Sequence, residues 1–316
     1  MSLKTNSKAL ADDLAVPGST ANLGGGFDTL GLALQVYLRA RIIEVKDDGG
    51  AKLTVVSSTP PVTGENAVER AFEAIARRTG RRTPSVSAEV VSDIPMAAGL
   101  GSSAAATVAG LRIFERVAGR VSDGVLLEVA ASLEGHADNA APALHGGLTS
   151  VVDIEGGEPQ VLRWQWPEEL RVIVATPSTG LATAKARAAL SDVVSRKDAI
   201  FNLQRVLLLV HALQNGEYDQ LREAVRDKWH QPARAALVPQ LGTMLALEDR
   251  EILGAFLSGA GPSVALLARR DFARLEELLK LTYEQAGCAV TVRTLGVHQS
   301  TEVAAGTLAA AHGRTL

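Results

Sequence analysis

The chain predicts an α+β fold in two domains, and three observations carry that reading. Strand-like and helix-like segments mix in both halves without the strict β–α–β alternation of a doubly wound sheet. With 316 residues, the chain has room for about two domains of ~100–200 residues each. A segment containing Gly156, Gly157, Pro159 and Pro167, Glu155–Glu169, marks the expected boundary, so the first domain is taken as 12–165 and the second as 166–305.

Leu38–Val45 alternates Arg39 and Arg41 with apolar residues, and Asp47-Asp48-Gly49-Gly50 then turns the chain into Lys52–Val56, a β-hairpin signal. Ala67–Arg78 carries Val68, Phe72, Ile75 and Ala76 at helical spacing and stops at Gly80. Ser85–Val91 reads as a strand. Ser102–Val117 reads as a helix, with Ala104, Val108, Leu111 and Phe114 opposite Arg112, Glu115 and Arg116. Another helix covers Ser122–Glu134 and stops at Gly135.

Leu148–Ile154 and Leu170–Ala175 read as strands, and Ala182–Leu190, Lys197–Gln214 and Tyr218–Trp229 as helices. Ile252–Leu257 and Ser263–Ala268 bracket a glycine-rich turn, followed by a helix at Asp271–Gln285 and a strand at Ala289–Thr294. Trp164 and Trp166 alternate in a strand-like stretch and are expected on a covered sheet face rather than a dimer surface.

Apolar residues make up 47% of the chain and charged residues 21%, enough for sizeable cores and incompatible with a disordered or collagen-like chain. The formal charge of −3, from 32 basic and 35 acidic residues, gives no general pull toward nucleic acid or membrane. Cys288 is the single cysteine, which excludes an internal disulfide framework and a multi-thiolate metal site. No run reaches the ~18 consecutive apolar residues of a membrane helix. Met1–Leu14 lacks the apolar stretch of a signal peptide and reads as a leader without a motif, as does the tail after Gly296. The expectation is a soluble, cytoplasmic protein with no nucleic-acid or membrane partner.

Aromatic residues are only 4% against 29 glycines, so the glycines become the informative residues. Pro95-Met-Ala-Ala-Gly-Leu-Gly-Ser-Ser-Ala-Ala-Ala106 places Gly99 and Gly101 in a tight turn, and Ser102 and Ser103 then open a helix. Small residues let backbone N–H groups approach a ligand, and the helix dipole adds positive potential for phosphate. A Walker A loop is excluded because no lysine follows. Gly99-x-Gly101-x-x-Ala104 mimics a dinucleotide fingerprint, but Pro95 separates it from the preceding strand and no strand-end acidic residue follows.

Pro17–Leu34 contains three consecutive glycines, 24–26, with Asn22 and Asp28 isolated among small and apolar residues. A buried carboxylate needs a partner or a task, so Asp28 is either a turn former or a functional group. Leu257–Val264 joins two apolar strands through Ser258, Gly259 and Gly261, the minimal reading being a Gly-Pro turn. In Glu134-Gly-His-Ala-Asp-Asn139 a helix ends and polar groups crowd the next turn. No second histidine lies at helical spacing for zinc, whereas Ser103 and Glu134 are hard oxygen donors suited to Mg²⁺ with phosphates. A serine hydrolase is excluded by the lack of Gly-x-Ser-x-Gly. Together these segments favour a phosphate-handling site.

Those residues resemble the GHMP small-molecule kinases. Pro17–Leu34 is similar to the first motif of that family, Pro95–Ala106 to its phosphate loop and Leu257–Val264 to its third motif. The forms of 19–31 and 134–147, with Thr183-Ala-Lys-Ala-Arg187, Lys197-Asp-Ala-Ile-Phe-Asn202 and His230-Gln-Pro-Ala-Arg234, resemble the homoserine kinase branch. The resemblance spans roughly residues 15–268. It implies a ribosomal-S5-like N-terminal domain, a ferredoxin-like C-terminal domain, and ATP- and Mg²⁺-dependent phosphorylation of the L-homoserine hydroxyl in threonine biosynthesis. It also makes a homodimer a reasonable assembly.

By the same resemblance, Pro95, Gly99, Leu100, Gly101, Ser102 and Ser103 wrap the ATP phosphates and Asn66 lies on the adenine side. Ser103 and Glu134 hold Mg²⁺, with Glu128, upstream on the same helix, as the competing carboxylate. Asn22, Asp28, His136, Asn139, Arg187 and Arg234 face the amino acid, and Asn22, Asp28 and Arg187 form the reacting centre. Charge logic agrees: a zwitterion wants a carboxylate near its ammonium, which Asp28 supplies, and a guanidinium fork on its carboxylate, which Arg187 or Arg234 supplies. Phosphoryl transfer needs mainly positioning and charge neutralisation, so Asp28 is expected to act as ammonium ligand rather than base.

Ala137, Gly18 and Gly25 depart from the family's usual residues, and the glycine triplet predicts a looser first loop and weaker binding. Competing readings are a mevalonate, sugar or shikimate kinase of the same superfamily, a non-catalytic binding protein on that scaffold, and a dinucleotide dehydrogenase.

Overall fold

A computed structural model describes residues 14–299; the leader up to residue 13 and the tail from residue 300 lie outside the described residues. The N-terminal part is built from β1 (Leu14–Ala21), β2 (Leu30–Lys46), β3 (Leu53–Thr59), α1 (Ala67–Thr79), β4 (Ser85–Ser92), α2 (Ser102–Ala118), α3 (Asp123–Glu134), α4 (Ala140–His145), β5 (Leu148–Val152) and β6 (Gln160–Trp164). Its six strands form one sheet in the order β3-β4-β2-β5-β6, with β1 antiparallel along β2.

The C-terminal part contains β7 (Arg171–Pro177), α5 (Thr183–Ala188), α6 (Arg196–Asn215), a 3₁₀ turn at Tyr218–Gln220, α7 (Leu221–Ala224), α8 (His230–Arg234), α9 (Leu241–Leu245), β8 (Gly254–Leu257), β9 (Val264–Ala268), α10 (Phe272–Gln285) and β10 (Val290–Leu295). Its four strands are antiparallel in the order β10-β7-β9-β8, the arrangement of a ferredoxin-like sheet.

Local signals set the helix ends. Asn66 caps α1 by accepting the Val68 N–H at 3.0 Å, Ser122 caps α3 through Val125, and Ser195 caps α6 through Asp198. Gly80, Gly135 and Gly216 close these three helices in the left-handed conformation.

Burial explains why β7 and β9 read as unbroken apolar runs. Val172, Val174, Ala265 and Leu267 face the core shared with the first sheet. Ile173, Ala175, Val264, Leu266 and Ala268 face a second core with Leu275, Leu279 and Tyr283 of α10. A strand covered on both faces has no reason to alternate.

The structure departs from the expected elements in three places. The expected hairpin does not form: β4 lies antiparallel beside β2, and β3 lies parallel on the other edge of β4. β4 buries Val86, Ala88 and Val90, whereas β3 buries only Leu53, so the less apolar strand takes the edge. The segment 155–169 is not all linker, because β6 pairs with β5 and sets Trp164 opposite Leu148; the change of sheet falls after Trp164. The expected helix 218–229 ends at Ala224, and Asp227 takes the N–H groups of Trp229 and Gln231 with its side chain to start α8 anew.

The covered position of the two tryptophans is seen: Trp166 is buried with its indole N–H on the Leu170 carbonyl, and Trp164 packs against the core. Beyond Gly296 the described chain straps the first sheet, with Gln299 bonded to both the N–H and the carbonyl of Trp166.

Gly110 is where α2 crosses α1. A Cβ there would stand 2.2 Å from the Val68 carbonyl oxygen and 2.9 Å from the Ala71 side chain. Helix propensity alone favours alanine by ~0.5–1 kcal/mol. The clash reverses that sign, so Gly110→Ala is expected to cost ~1–3 kcal/mol. Thermal unfolding checks it, and a raised midpoint would contradict the packing described.

Candidate active site

Three loops meet where the two sheets abut: 22–29 after β1, 93–101 before α2, and 258–263 between β8 and β9. They are cross-linked by their own backbones. Ser19 N–H donates to Leu100 O at 3.1 Å, Gly259 N–H to Ala21 O at 3.1 Å, and Ser263 N–H to Ala98 O at 3.2 Å. The buried Ser258 hydroxyl donates to Gly99 O at 2.7 Å and, having one proton, accepts from the Thr20 hydroxyl at 2.8 Å. Asn22 donates to Gly259 O at 2.9 Å and accepts the Asp28 N–H at 3.1 Å, so one amide joins the first and third loops and fixes Asp28.

Glycine is required at two positions in this junction. Gly99 and Gly101 have φ of +75° and +67°, and a Cβ on them would lie 2.2 Å from Ser258 O and 2.1 Å from Ser19 Oγ. Gly101 is the N-cap of α2, which runs 17 residues, and its first turn holds no acidic side chain. The loop's N–H groups and the positive end of α2 therefore face the cavity with no acidic side chain from α2's own first turn among them.

That cavity measures about 260 Å³. Gly99 to Ser103 line one wall, and Glu134, His136, Asp138 and Asn139 a second. Asn22, Thr183, Arg187, Arg234 and Gly259 complete it from the other loops.

Asp28 and Arg187 form a two-pronged pair, Nη1 to Oδ2 at 2.9 Å and Nη2 to Oδ1 at 2.7 Å, each about a third exposed. The Asp28 hydrogen bonds hold the Arg187 guanidinium above its ordinary pKa. Arg187 and Arg234 both lie over the Phe27 ring, their guanidinium carbons 5.7 Å and 5.3 Å from its centroid.

His136 Nδ1 sits 2.5 Å from Asp138 Oδ1. Burial alone would lower the pKa of His136, but the hydrogen bond and charge of Asp138 outweigh it and the net shift is upward. Asn139 is held by the Ser19 hydroxyl at 2.9 Å and itself donates to Asp138 at 3.1 Å.

Ser103 Oγ and Thr107 Oγ1 both donate to Glu134 Oε1, at 2.9 Å and 2.7 Å, which puts a hydroxyl and a carboxylate together at the start of α2. Two hard oxygens beside a phosphate loop fit Mg²⁺, which takes one or two protein ligands and completes its shell with phosphates and water. Among the described residues no group of three or more His, Cys, Asp or Glu stands ready for a metal. Glu128 points elsewhere, gripping Arg78 with both oxygens at 3.1 and 3.0 Å. Ser102 and Ser103 also border a second cavity of about 290 Å³, lined by Leu38, Val62, Asn66, Val68, Val90 and Met96. Its apolar walls suit a flat ring.

Residues 66–147 match the family description "GHMP kinases N terminal domain", and residues 209–285 match "GHMP kinases C terminal". A homoserine kinase of Solibacter usitatus is 37% identical over 280 residues, covering 87% of this chain and 91% of that protein. One of Deinococcus radiodurans is 41% identical over 250 residues, covering 78% and 81%. The chain belongs to the homoserine kinase branch of the GHMP kinases. The crystal structure of homoserine kinase from Cytophaga hutchinsonii superposes with a TM-score of 0.80 at 24% identity, covering 95% of this chain and 98% of that one. Lactococcus lactis galactokinase, at 13% identity and a TM-score of 0.66, shares the fold.

Of the residues singled out as a kinase site, Asn22, Gly99 to Ser103, Glu134, His136, Asn139, Arg187, Arg234 and Gly259 border one cavity, and Asp28 joins it through Arg187. Pro95 begins the loop behind them and Asn66 lines the neighbouring cavity. Ser258 and Gly261 hold the loops together from beneath. Ser19 and Thr107 carry no mark of their role in the sequence, because each bonds a residue distant in the chain, whereas Asp138 belongs to the polar cluster after Glu134 and gains its role from its bonds to His136 and Asn139. The expected looseness of the first loop is not seen, because Gly24 is pressed on Val225, where a Cβ would stand 2.0 Å from the carbonyl oxygen.

The His136–Asp138 pair predicts a histidine titrating above its ordinary value of 6.5. Its contribution to stability is then full below that value and lost as pH rises through the folded-state midpoint. NMR titration checks this. Asp138→Asn is expected to move the midpoint downward, and an unchanged midpoint would contradict the pairing.

Proposed function

We propose that this chain transfers the γ-phosphoryl group of ATP to the side-chain hydroxyl of L-homoserine, forming O-phospho-L-homoserine and ADP in threonine biosynthesis. The observation that carries this reading is the opposed pair Asp28–Arg187 at the mouth of a cavity whose opposite wall is the phosphate loop. An uncharged sugar has no use for such a pair, whereas an amino acid matches it charge for charge.

In this reading the amides of Gly99 to Ser103 and the N-terminus of α2 orient the phosphates. Ser103 and Glu134 hold Mg²⁺, which when bound neutralises phosphate charge. Asp28 exchanges Arg187 for the ammonium group, and Arg187 with Arg234 takes the carboxylate. His136 and Asn139 face the rest of the amino acid, and Asn22 fixes Asp28 from behind. With Asp28 so engaged, the hydroxyl proton leaves to a phosphoryl oxygen or water while the new O–P bond forms and the bond to ADP breaks. The division into domains at 165/166, a cytoplasmic setting and a homodimer belong to the same reading. Among the described residues no helix is long and apolar enough to cross a membrane.

The test is ADP release with Mg-ATP across L-homoserine, D-homoserine, L-serine, mevalonate, galactose and shikimate. Stimulation by L-homoserine is expected. Arg187→Ala should raise the KM for it about tenfold to a hundredfold, the value of a lost charge-assisted contact. Stimulation by mevalonate or galactose instead would overturn the substrate.

A further inference from the structure

Arg234 is 2% exposed, yet among the described residues no carboxylate is hydrogen-bonded to it. Its Nε donates to Ala186 O at 3.2 Å, and its Nη1 to Gly259 O at 3.2 Å and to His230 Nδ1 at 3.2 Å. A buried guanidinium held only by carbonyls and a ring keeps its charge for the cavity it lines. Its aim then depends on what holds its partners.

His230 is fully buried, and its Nε2 lies 2.8 Å from the carbonyl of Gly24. A carbonyl only accepts, so Nε2 carries the proton and Nδ1 is free to accept from Arg234. His230 and Arg234 stand one turn apart on α8, a helix of five residues. So short a helix cannot hold its own place in the chain.

It is held by Asp227. That carboxylate is fully buried, and it accepts the N–H of Trp229 at 2.9 Å, the N–H of Gln231 at 2.7 Å and the Asn202 side-chain amide at 2.7 Å. Asn202 reaches from α6 and also accepts the Lys228 N–H at 3.0 Å. Gln231 ties the far side of α8 to β8 by accepting the Leu257 N–H.

We infer that Asp227 is a positioning residue: through α8 it sets the place of His230, whose tautomer the Gly24 carbonyl fixes, and through His230 it aims Arg234 at the substrate carboxylate. This rests on the proposed substrate only in that Arg234 must meet an anion of the amino acid.

The experiment compares Arg234→Ala, Asp227→Asn and the intact enzyme in steady-state assays with L-homoserine and ATP varied in turn. It is run below the measured unfolding midpoint of each protein. Both variants are expected to raise the KM for L-homoserine about tenfold or more, with the KM for ATP unchanged. Nitrogen NMR of the intact enzyme should find His230 protonated on Nε2, with that signal moved or broadened in Asp227→Asn. A merely structural role would lower the unfolding midpoint and leave both the KM split and the tautomer signal alone. If Arg234→Ala leaves the KM for L-homoserine unchanged, the assignment of the carboxylate to Arg234 is wrong. If Arg234→Ala raises it and Asp227→Asn does not, the positioning role is wrong. Should Asp227→Asn fail to fold, Asn202→Ser removes one donor to the same carboxylate and is read by the same criteria.

Discussion

The Ser258 hydroxyl bridges Gly99 and Thr20 from a position fully closed to solvent, and the site depends on that junction. Through it, and through Asn22 on Gly259, the glycine loop before α2 in the first sheet's domain is bound to a hairpin of the other sheet. Loops rich in glycine lose much conformational entropy on ordering, so they hold one shape only where several buried bonds enforce it. Here each loop supplies the donors that the next one lacks. The left-handed glycines are then close-packed seats, and the backbone N–H groups they expose are aimed before any phosphate arrives.

Charge is arranged on that frame by sign and by burial. The end of α2 offers positive potential, with the Glu134 carboxylate beside it on the Ser103 and Thr107 hydroxyls. Across the cavity, Asp28 and Arg187 satisfy each other while remaining partly exposed, so the pair can open at modest cost. Arg234 differs because its burial removes water while Asp28, Asp138 and Asp227 act on it through space, its hydrogen bonds going to carbonyls and a ring. Both guanidinium groups lie over the Phe27 ring, whose π-face attracts a cation.

Much of this was legible in the residues because glycine, small-residue and polar positions in the loops are demanded by local backbone geometry. Helices α1, α2, α3, α6 and α10 follow from apolar spacing, with capping residues close in sequence at α1, α3 and α6. What escaped is what distant partners decide. The Asp47–Gly50 turn does reverse the chain, yet β4 displaces β3 from the side of β2 because it has more apolar surface to bury. The helix expected to run on to Trp229 is cut by a side chain, that of Asp227, bonding the backbone ahead of it. Likewise Asp28 needed a partner on any reading, but that the partner is Arg187 depends on how two sheets abut.

The central claim is that one cavity presents the phosphate loop and an amino-acid clamp to each other in line. A crystal structure with L-homoserine, Mg²⁺ and a non-hydrolysable ATP analogue tests it directly. The account predicts phosphates on the amides of Gly99 to Ser103, a metal touching Ser103 and Glu134, and the amino acid between Asp28 and Arg187 with its hydroxyl toward the γ-phosphate. An amino acid bound away from that pair, or an Asp28–Arg187 contact left intact beneath it, would contradict the account.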